Sequence, residues 1–114
     1  MQNTELDLAT FEELKQMSGA DFIDELVDTF LEDAPKLLQE MKSALQHQDA
    51  ESFRRAAHSL KSNSATFGAT HLSALARELE MLGKENQLAG VGNRLQVVET
   101  TYQSVAGELK GLRK

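Results

Sequence analysis

Residues 23–45, IDELVDTFLEDAPKLLQEMKSAL, carry the longest regular apolar pattern in the chain. Apolar side chains recur in it at spacings of three and four residues, which is typical of a helix with one buried face. This stripe consists of Ile23, Leu26, Val27, Phe30, Leu31, Ala34, Leu37, Leu38, Met41 and Leu45. Pro35 lies inside the segment, and because the stripe continues past it we expect a bend in the helix and not an end.

Three later segments show the same spacing, and a shorter one precedes the first. The predicted helices span about residues 10–17, 19–46, 50–67, 69–86 and 89–112, with Thr10 and Asp49 as the N-terminal caps of the first and third. The short connections between the long helices favour antiparallel neighbours. The sequence therefore predicts a single all-α domain over residues 1–114, an up-down antiparallel four-helix bundle with an additional short N-terminal helix.

The composition excludes several classes of protein. The chain has 114 residues, 12 basic and 18 acidic side chains, a formal net charge of −6 and no Cys. It therefore has no disulfide framework, no thiolate zinc site and no cysteine nucleophile. The acidic balance argues against nucleic acid as a partner, because such binding depends on neutralising phosphates. No apolar run reaches the roughly 20 residues of a membrane span. Residues 1–7 are polar and do not resemble a secretory signal, so we expect a cytoplasmic protein. We expect a monomer, because one bundle uses nearly all of the apolar stripes.

Of the three histidines, His58 has the most unusual surroundings. His47 falls in a polar turn and His71 near the start of a helix, and both are interpreted as ordinary surface residues. At about 100° per residue, the apolar stripe of the third predicted helix points away from His58, so we expect its imidazole to face solvent. Its neighbours within about 60° on that helix are three cations and two small residues, and none is acidic: Arg54, Arg55, Lys61, Ser62 and Ala65.

Two interpretations of this basic segment are open. Stripes of cations on helices are often only a solvated face. The functional interpretation is phosphoryl transfer, because neutral imidazole is a competent nucleophile and a phosphoryl group on it adds nearly two negative charges. Lys61, Arg54 and Arg55 would stabilise that charge, while the short side chains of Ser62 and Ala65 would let a partner dock. The chain has no P-loop or phosphate-binding Gly-rich loop, so we expect a phosphoryl carrier and not an enzyme with ATP-dependent kinase activity.

The stretch Ala57-His58-Ser59-Leu60-Lys61-Ser62-Asn63-Ser64, followed by Gly68-Ala69, Leu72, Leu75 and Leu79-Glu80, resembles the histidine-containing phosphotransfer (HPt) domain family. The run Phe30-Leu31-Glu32-Asp33-Ala34-Pro35 is similar to the preceding helix of that family. The resemblance implies a four-helix bundle that shuttles phosphoryl groups between receiver-domain aspartates. It implies that His58 is the phosphoacceptor, Lys61 its supporting cation, and Ser64 and Gly68 structural residues near the site. The family usually has Gly where this chain has Ser62.

The resemblance also implies the partners: response-regulator receiver domains, a hybrid histidine kinase, or both. We expect no cofactor in this chain, with Mg²⁺ bound by the partner receiver alone. A metal-binding bundle is the first rival, but it needs Glu-x-x-His pairs, and the residues three before the histidines are Ala44, Arg55 and Gly68. The second rival is a non-catalytic helical adaptor that docks receiver domains without carrying phosphate.

Overall fold

The structure is a computed structural model, and it describes residues 6–112 apart from the side chain of Ala20. This range contains five α-helices: α1 (Leu8–Ser18), α2 (Ala20–Gln46), α3 (Ala50–Thr66), α4 (Thr70–Lys84) and α5 (Arg94–Leu112). Helix α3 packs against α2 and α4, while α5 packs against α4 and α2, and α1 lies against α2 and α3. The predicted all-α bundle with an added N-terminal helix is confirmed. Of the predicted domain over residues 1–114, residues 1–5 and 113–114 lie outside the described part.

Helix α1 begins two residues earlier than the sequence predicts, at Leu8. The cap is Asp7 and not Thr10: the Asp7 carboxylate accepts hydrogen bonds from the Ala9 amide at 3.1 Å and from the Thr10 hydroxyl at 3.0 Å. The Asp7 amide in turn donates to the Gly68 carbonyl at 2.7 Å, which attaches this segment to the turn between α3 and α4. Gly68 has a left-handed φ of +81°, and a Cβ there would lie 2.7 Å from the Asp7 carbonyl oxygen. Any other residue at position 68 would therefore strain the turn and displace α1.

The predicted boundaries are least accurate between α4 and α5. Helix α4 ends at Lys84 and not at residue 86, because Asn86 adopts a left-handed φ of +56°. Helix α5 begins at Arg94 and not at residue 89, because a 3-10 turn occupies Leu88–Gly90 and Gly92 has a φ of +52°. A left-handed residue cannot continue a right-handed helix, so both boundaries follow from local backbone geometry. Helices α2 and α3 begin and end within one residue of the predicted positions.

The core is formed by the apolar stripes of α2 to α5, closed at one end by Leu6 and Phe11. On α3, Phe53, Ala57 and Leu60 are completely buried, in agreement with the rotation inferred from the sequence. The residues that fill the centre of the bundle and are almost fully buried include Met41, Phe53, Leu60, Leu72, Leu79 and Leu109. Within residues 6–112, no helix is both long and apolar enough to cross a lipid bilayer.

Helix α2 continues through Pro35, as predicted. A proline has no N–H, so the carbonyl of Leu31, four residues earlier, loses its partner within the helix. The hydroxyl of Tyr102 on α5 donates a long hydrogen bond of 3.4 Å to this carbonyl. Burial raises the pKa of Tyr102 above its ordinary value, so the phenol keeps its proton and remains a donor. The bundle thus supplies the hydrogen bond that the proline removes.

Candidate functional site

His58 lies on the outward face of α3, opposite the core. Helix α3 is capped by Asp49, whose carboxylate accepts hydrogen bonds from the Ser52 amide at 3.1 Å and from the Ser52 hydroxyl at 2.7 Å. The side chain of His58 is 53% exposed. The structure therefore confirms that the imidazole faces solvent, with the buried Phe53 and Leu60 on the other side of the helix.

A carboxylate from the neighbouring helix contacts His58, which the sequence analysis did not foresee. Glu80 on α4 is only 14% exposed, and its Oε2 lies 2.7 Å from Nδ1 of His58. Its other oxygen, Oε1, lies 2.7 Å from Nζ of Lys61. The expectation of surroundings without acidic groups is wrong. Rotation about one helix axis says nothing of Glu80 on the helix packed beside it, and on α3 itself Glu51 lies two turns before His58 on the same face.

The position of Glu80 follows from the antiparallel arrangement of α3 and α4. Both His58 and Glu80 lie eleven residues from Ala69, which belongs to the turn between the two helices. Residues at equal distances from such a turn lie at similar heights on the two helices, since each residue advances both helices by about 1.5 Å. Glu80 could have been identified from the sequence by counting residues outward from the turn along both helices.

The contact with Glu80 determines which ring nitrogen of His58 carries the proton. Burial of the Glu80 carboxylate raises its pKa, but hydrogen bonds from Lys61 and His58 outweigh that effect and hold the pKa below its ordinary value of 4.5. The group is therefore ionised at neutral pH and can only accept hydrogen bonds. Nδ1 of His58 must then be the donor, so Nε2 carries the lone pair whenever the ring is neutral. Within residues 6–112, Nε2 makes no hydrogen bond.

Helices α3 and α4 pack closely at Gly83, which lies about one turn after Glu80 on α4. A Cβ on Gly83 would lie 3.0 Å from both Cβ and N of Arg54 and 3.1 Å from the carbonyl oxygen of Ala50. Two of these three atoms belong to the backbone of α3, so they cannot move unless the helix moves. The absence of a side chain at Gly83 thus sets the separation across which Glu80 meets His58.

We expect Gly83→Ala to lower the free energy of unfolding by about 1 kcal/mol. Overpacking costs typically 1–3 kcal/mol, and the better helix propensity of alanine returns up to about 1 kcal/mol. Gly107→Ala is the matched control, because Gly107 is also helical but nothing lies within 4 Å of its would-be Cβ. Urea denaturation of both variants should show Gly107→Ala unchanged or stabilised. Equal stabilisation of both would contradict the close contact.

Lys61 belongs to the site, whereas the two arginines are held elsewhere. The Nζ of Lys61 is occupied by Glu80, and its side chain is 29% exposed. Arg54 donates from Nε and Nη2 to the Glu51 carboxylate at 3.0 and 2.6 Å, and this pairing lowers the pKa of Glu51. Nε of the exposed Arg55 lies 3.8 Å from the same carboxylate. Both arginines are therefore paired one turn towards the N-terminus of α3, not with His58.

The remaining predicted site residues divide between surface and core. Ser62 and Ala65 are exposed on α3, on the side of the helix that carries His58. Ser64 is completely buried, and its hydroxyl has no hydrogen-bond partner in the described part of the chain. Gly68 lies in the turn that holds Asp7.

The other two histidines lie away from this site. His47 is exposed after α2, with its Nδ1 2.8 Å from the Ser43 carbonyl oxygen, and His71 is exposed on α4. In the described ranges, no group of three or more His, Asp or Glu side chains is placed to hold a metal ion.

The comparisons with known proteins agree with the helical bundle. The Hpt domain family model matches residues 25–108. The sensor protein TorS of Escherichia coli (strain K12) is 37% identical over 75 residues, which are 66% of this chain and 8% of TorS. The crystal structure of histidine-containing phosphotransfer protein B (HptB) from Pseudomonas aeruginosa PAO1 superposes with a TM-score of 0.92 at 28% identity, covering 98% of this chain and 96% of HptB.

The chain therefore belongs to the Hpt domain family. Proteins of this family are phosphotransfer carriers of phosphorelays and are not kinases, and their partners are receiver domains or histidine kinases. The chain spans 8% of the length of TorS, the curated relative that it matches.

Proposed function

We propose that this protein accepts a phosphoryl group on His58 from the aspartyl phosphate of a receiver domain and passes it to a second receiver domain. The observation that supports this proposal most directly is the contact between Nδ1 of His58 and Glu80, which leaves Nε2 as an exposed nucleophile. Lys61 lies beside the same carboxylate, so the surroundings of the reactive ring include an acid from α4 and a cation one turn further along α3.

In the proposed reaction, Nε2 of His58 attacks phosphorus in line with the aspartyl oxygen. The Nε2–P bond forms as the P–O bond breaks, and the aspartate carboxylate leaves with the electron pair. The ring proton stays on Nδ1, so the phosphorylated imidazole carries a positive charge that the ionised Glu80 stabilises, as a buried carboxylate does for other catalytic histidines. Transfer to the second receiver is the reverse step, with the imidazole as leaving group.

Lys61 supplies the positive charge nearest to the incoming phosphoryl group. Its ammonium is bound to Glu80 and partly exposed, so it can turn from the carboxylate towards phosphoryl oxygens, which carry nearly two negative charges. We propose a supporting role for Lys61 alone among the cations predicted for the site, because it shares with His58 the carboxylate of Glu80, whereas Arg54 and Arg55 pair with Glu51.

The partner supplies the remaining chemistry. Mg²⁺ on the receiver domain neutralises charge on the transferred group, and this chain contributes no cofactor or metal of its own. The receiver docks on the face formed by α2 and α3, where the short side chains of Ser62 and Ala65 leave His58 accessible to a partner. We further propose that the protein acts in the cytoplasm as a monomer and that it does not bind nucleic acid.

The test is to mix the purified protein with a receiver domain phosphorylated by acetyl phosphate in the presence of Mg²⁺. We expect phosphate on this chain that is labile in acid, stable in base and located on His58 by mass spectrometry, and none when ATP replaces the phosphorylated receiver. A complex that forms without any transferred phosphate, across the receivers of the source organism, would support the adaptor alternative instead.

A further inference from the structure

A recess between α2 and α3 is lined by residues that the proposed phosphoryl chemistry does not use. Its volume is about 150 Å³. The apolar lining consists of Leu26, Phe30 and Phe67, and the two aromatic rings are 5.3 Å apart between centroids. The polar lining residues are Thr29, Asp33, Asn63 and Thr66. The recess is therefore amphipathic, with a polar rim and an apolar floor formed by the partly exposed Leu26 and the edges of the nearly buried Phe30 and Phe67.

Asp33 is the charged residue in this lining. It is half-buried, and within residues 6–112 its carboxylate has no hydrogen bond or ion pair. A carboxylate that loses water without gaining a partner is costly. Other acids at comparable or greater burial in this structure, such as Glu80 and Glu99, are paired with cations. The Asp33 carboxylate is thus placed to pair with a cationic group that enters the recess.

The recess lies close enough to His58 to be covered by the same partner. Asn63 and Thr66 follow His58 by five and eight residues on α3, which places them roughly 7–12 Å further along the helix axis and about 140° and 80° around it, on the side that faces α2. A partner that covers about 800 Å² on this protein extends roughly 16 Å from the centre of contact. A receiver domain centred on the imidazole therefore reaches the recess.

We propose that the recess binds an arginine side chain of the docked receiver domain. The aliphatic stem would pack against Leu26, Phe30 and Phe67, and the guanidinium would pair with the Asp33 carboxylate. Arginine fits both parts of the lining, because its methylene stem packs on apolar surface and its planar head matches a carboxylate with two parallel hydrogen bonds. This inference rests on the proposed function, since it is the receiver that brings the arginine to this face.

The first experiment tests the recess without a partner. N-acetyl-arginine amide is titrated into ¹⁵N-labelled protein while the amides of Thr29, Asn63 and Thr66 are followed by NMR. We expect saturable shifts at these residues with half-saturation at millimolar concentration, as befits so small a ligand. Asp33→Asn should weaken binding roughly tenfold, since it removes a charged hydrogen-bond acceptor. Glu32→Gln is the matched control, because it removes an exposed acid next to Asp33 that does not line the recess.

Two results of this titration would overturn the inference. One is equal binding by wild type and Asp33→Asn. The other is equal binding of N-acetyl-norleucine amide, which has an apolar stem but no cation and would show that the recess takes any apolar side chain.

The second experiment separates the recess from the phosphoryl chemistry. With a receiver that phosphorylates the wild-type protein, Asp33→Asn should raise KM for the receiver about tenfold and leave kcat unchanged, whereas Glu32→Gln should change neither. An unchanged KM in Asp33→Asn would overturn the arginine inference while His58 still accepts phosphate. Absence of phosphate on the wild-type protein would instead overturn the proposed function, and the titration would still decide on the recess.

Discussion

His58→Gln is expected to abolish phosphoryl acceptance and to leave the fold nearly unchanged. The substitution removes the nucleophilic nitrogen, and in the proposed mechanism no other group can replace it. The structural cost is small, because the side chain is 53% exposed and its hydrogen bond to Glu80 can be replaced by the glutamine amide. We expect the free energy of unfolding to change by less than about 1 kcal/mol.

The measurement pairs phosphate transfer from a phosphorylated receiver with thermal unfolding followed by circular dichroism. His47→Gln is the control, since it replaces another exposed histidine, whose Nδ1 lies 2.8 Å from the Ser43 carbonyl oxygen, and it should retain the wild-type transfer rate. Phosphate on the His58→Gln protein would place the acceptor elsewhere. A large drop in melting temperature would show that the imidazole contributes more to packing than its exposure suggests.

Glu80→Gln is expected to slow transfer roughly tenfold. The carboxylate holds the proton on Nδ1 and stabilises the positive charge that develops on the ring, and a tenfold loss corresponds to ~1.4 kcal/mol of transition-state stabilisation. The His58 ring is more than half exposed, so solvent screens part of its attraction to the carboxylate. The expected loss of free energy therefore lies near the lower end of the range for a hydrogen bond to a charged group. An amide can also donate to Nδ1, which allows the wrong ring tautomer.

Rapid-quench transfer at saturating receiver gives the rate, and ¹⁵N chemical shifts of the imidazole give the tautomer. Wild-type His58 should carry its proton on Nδ1, and Glu80→Gln should show a mixture of tautomers. Glu78→Gln serves as the control, because it removes an exposed acid of α4 that pairs with Arg94 at 2.9 Å, away from His58. An unaltered rate and tautomer in Glu80→Gln would remove Glu80 from the mechanism.

Periodicity was sufficient to predict the bundle and the exposure of His58, because both depend on which face of a helix is apolar. It could not predict where α5 begins, because that boundary depends on the left-handed backbone at Gly92 and on a 3-10 turn of three residues. Turns of this kind are specified by local torsion angles and not by a repeating pattern.

The site shows a similar division. The sequence prediction for Arg54 and Arg55 left out Glu51, which precedes them by three and four residues. Ion pairs at these two spacings are common on a helix, so this pairing could have been predicted from the sequence. Glu80 is a different case, because its contact with His58 crosses between helices. A single-helix projection cannot include it until the neighbouring helix and its direction are known.

The equal distance of His58 and Glu80 from Ala69 makes the length of one connection part of the chemistry. Inserting a single amino acid after Gly68 would displace every later residue of the hairpin by one place, and a helix shifted by one place presents a side chain about 100° away from its former direction. Glu80 would then no longer face the imidazole of His58, although the sequence would still contain His58, Lys61 and Glu80. The turn is therefore constrained in length by the phase of the two helices, in addition to the constraint on its composition at Gly68.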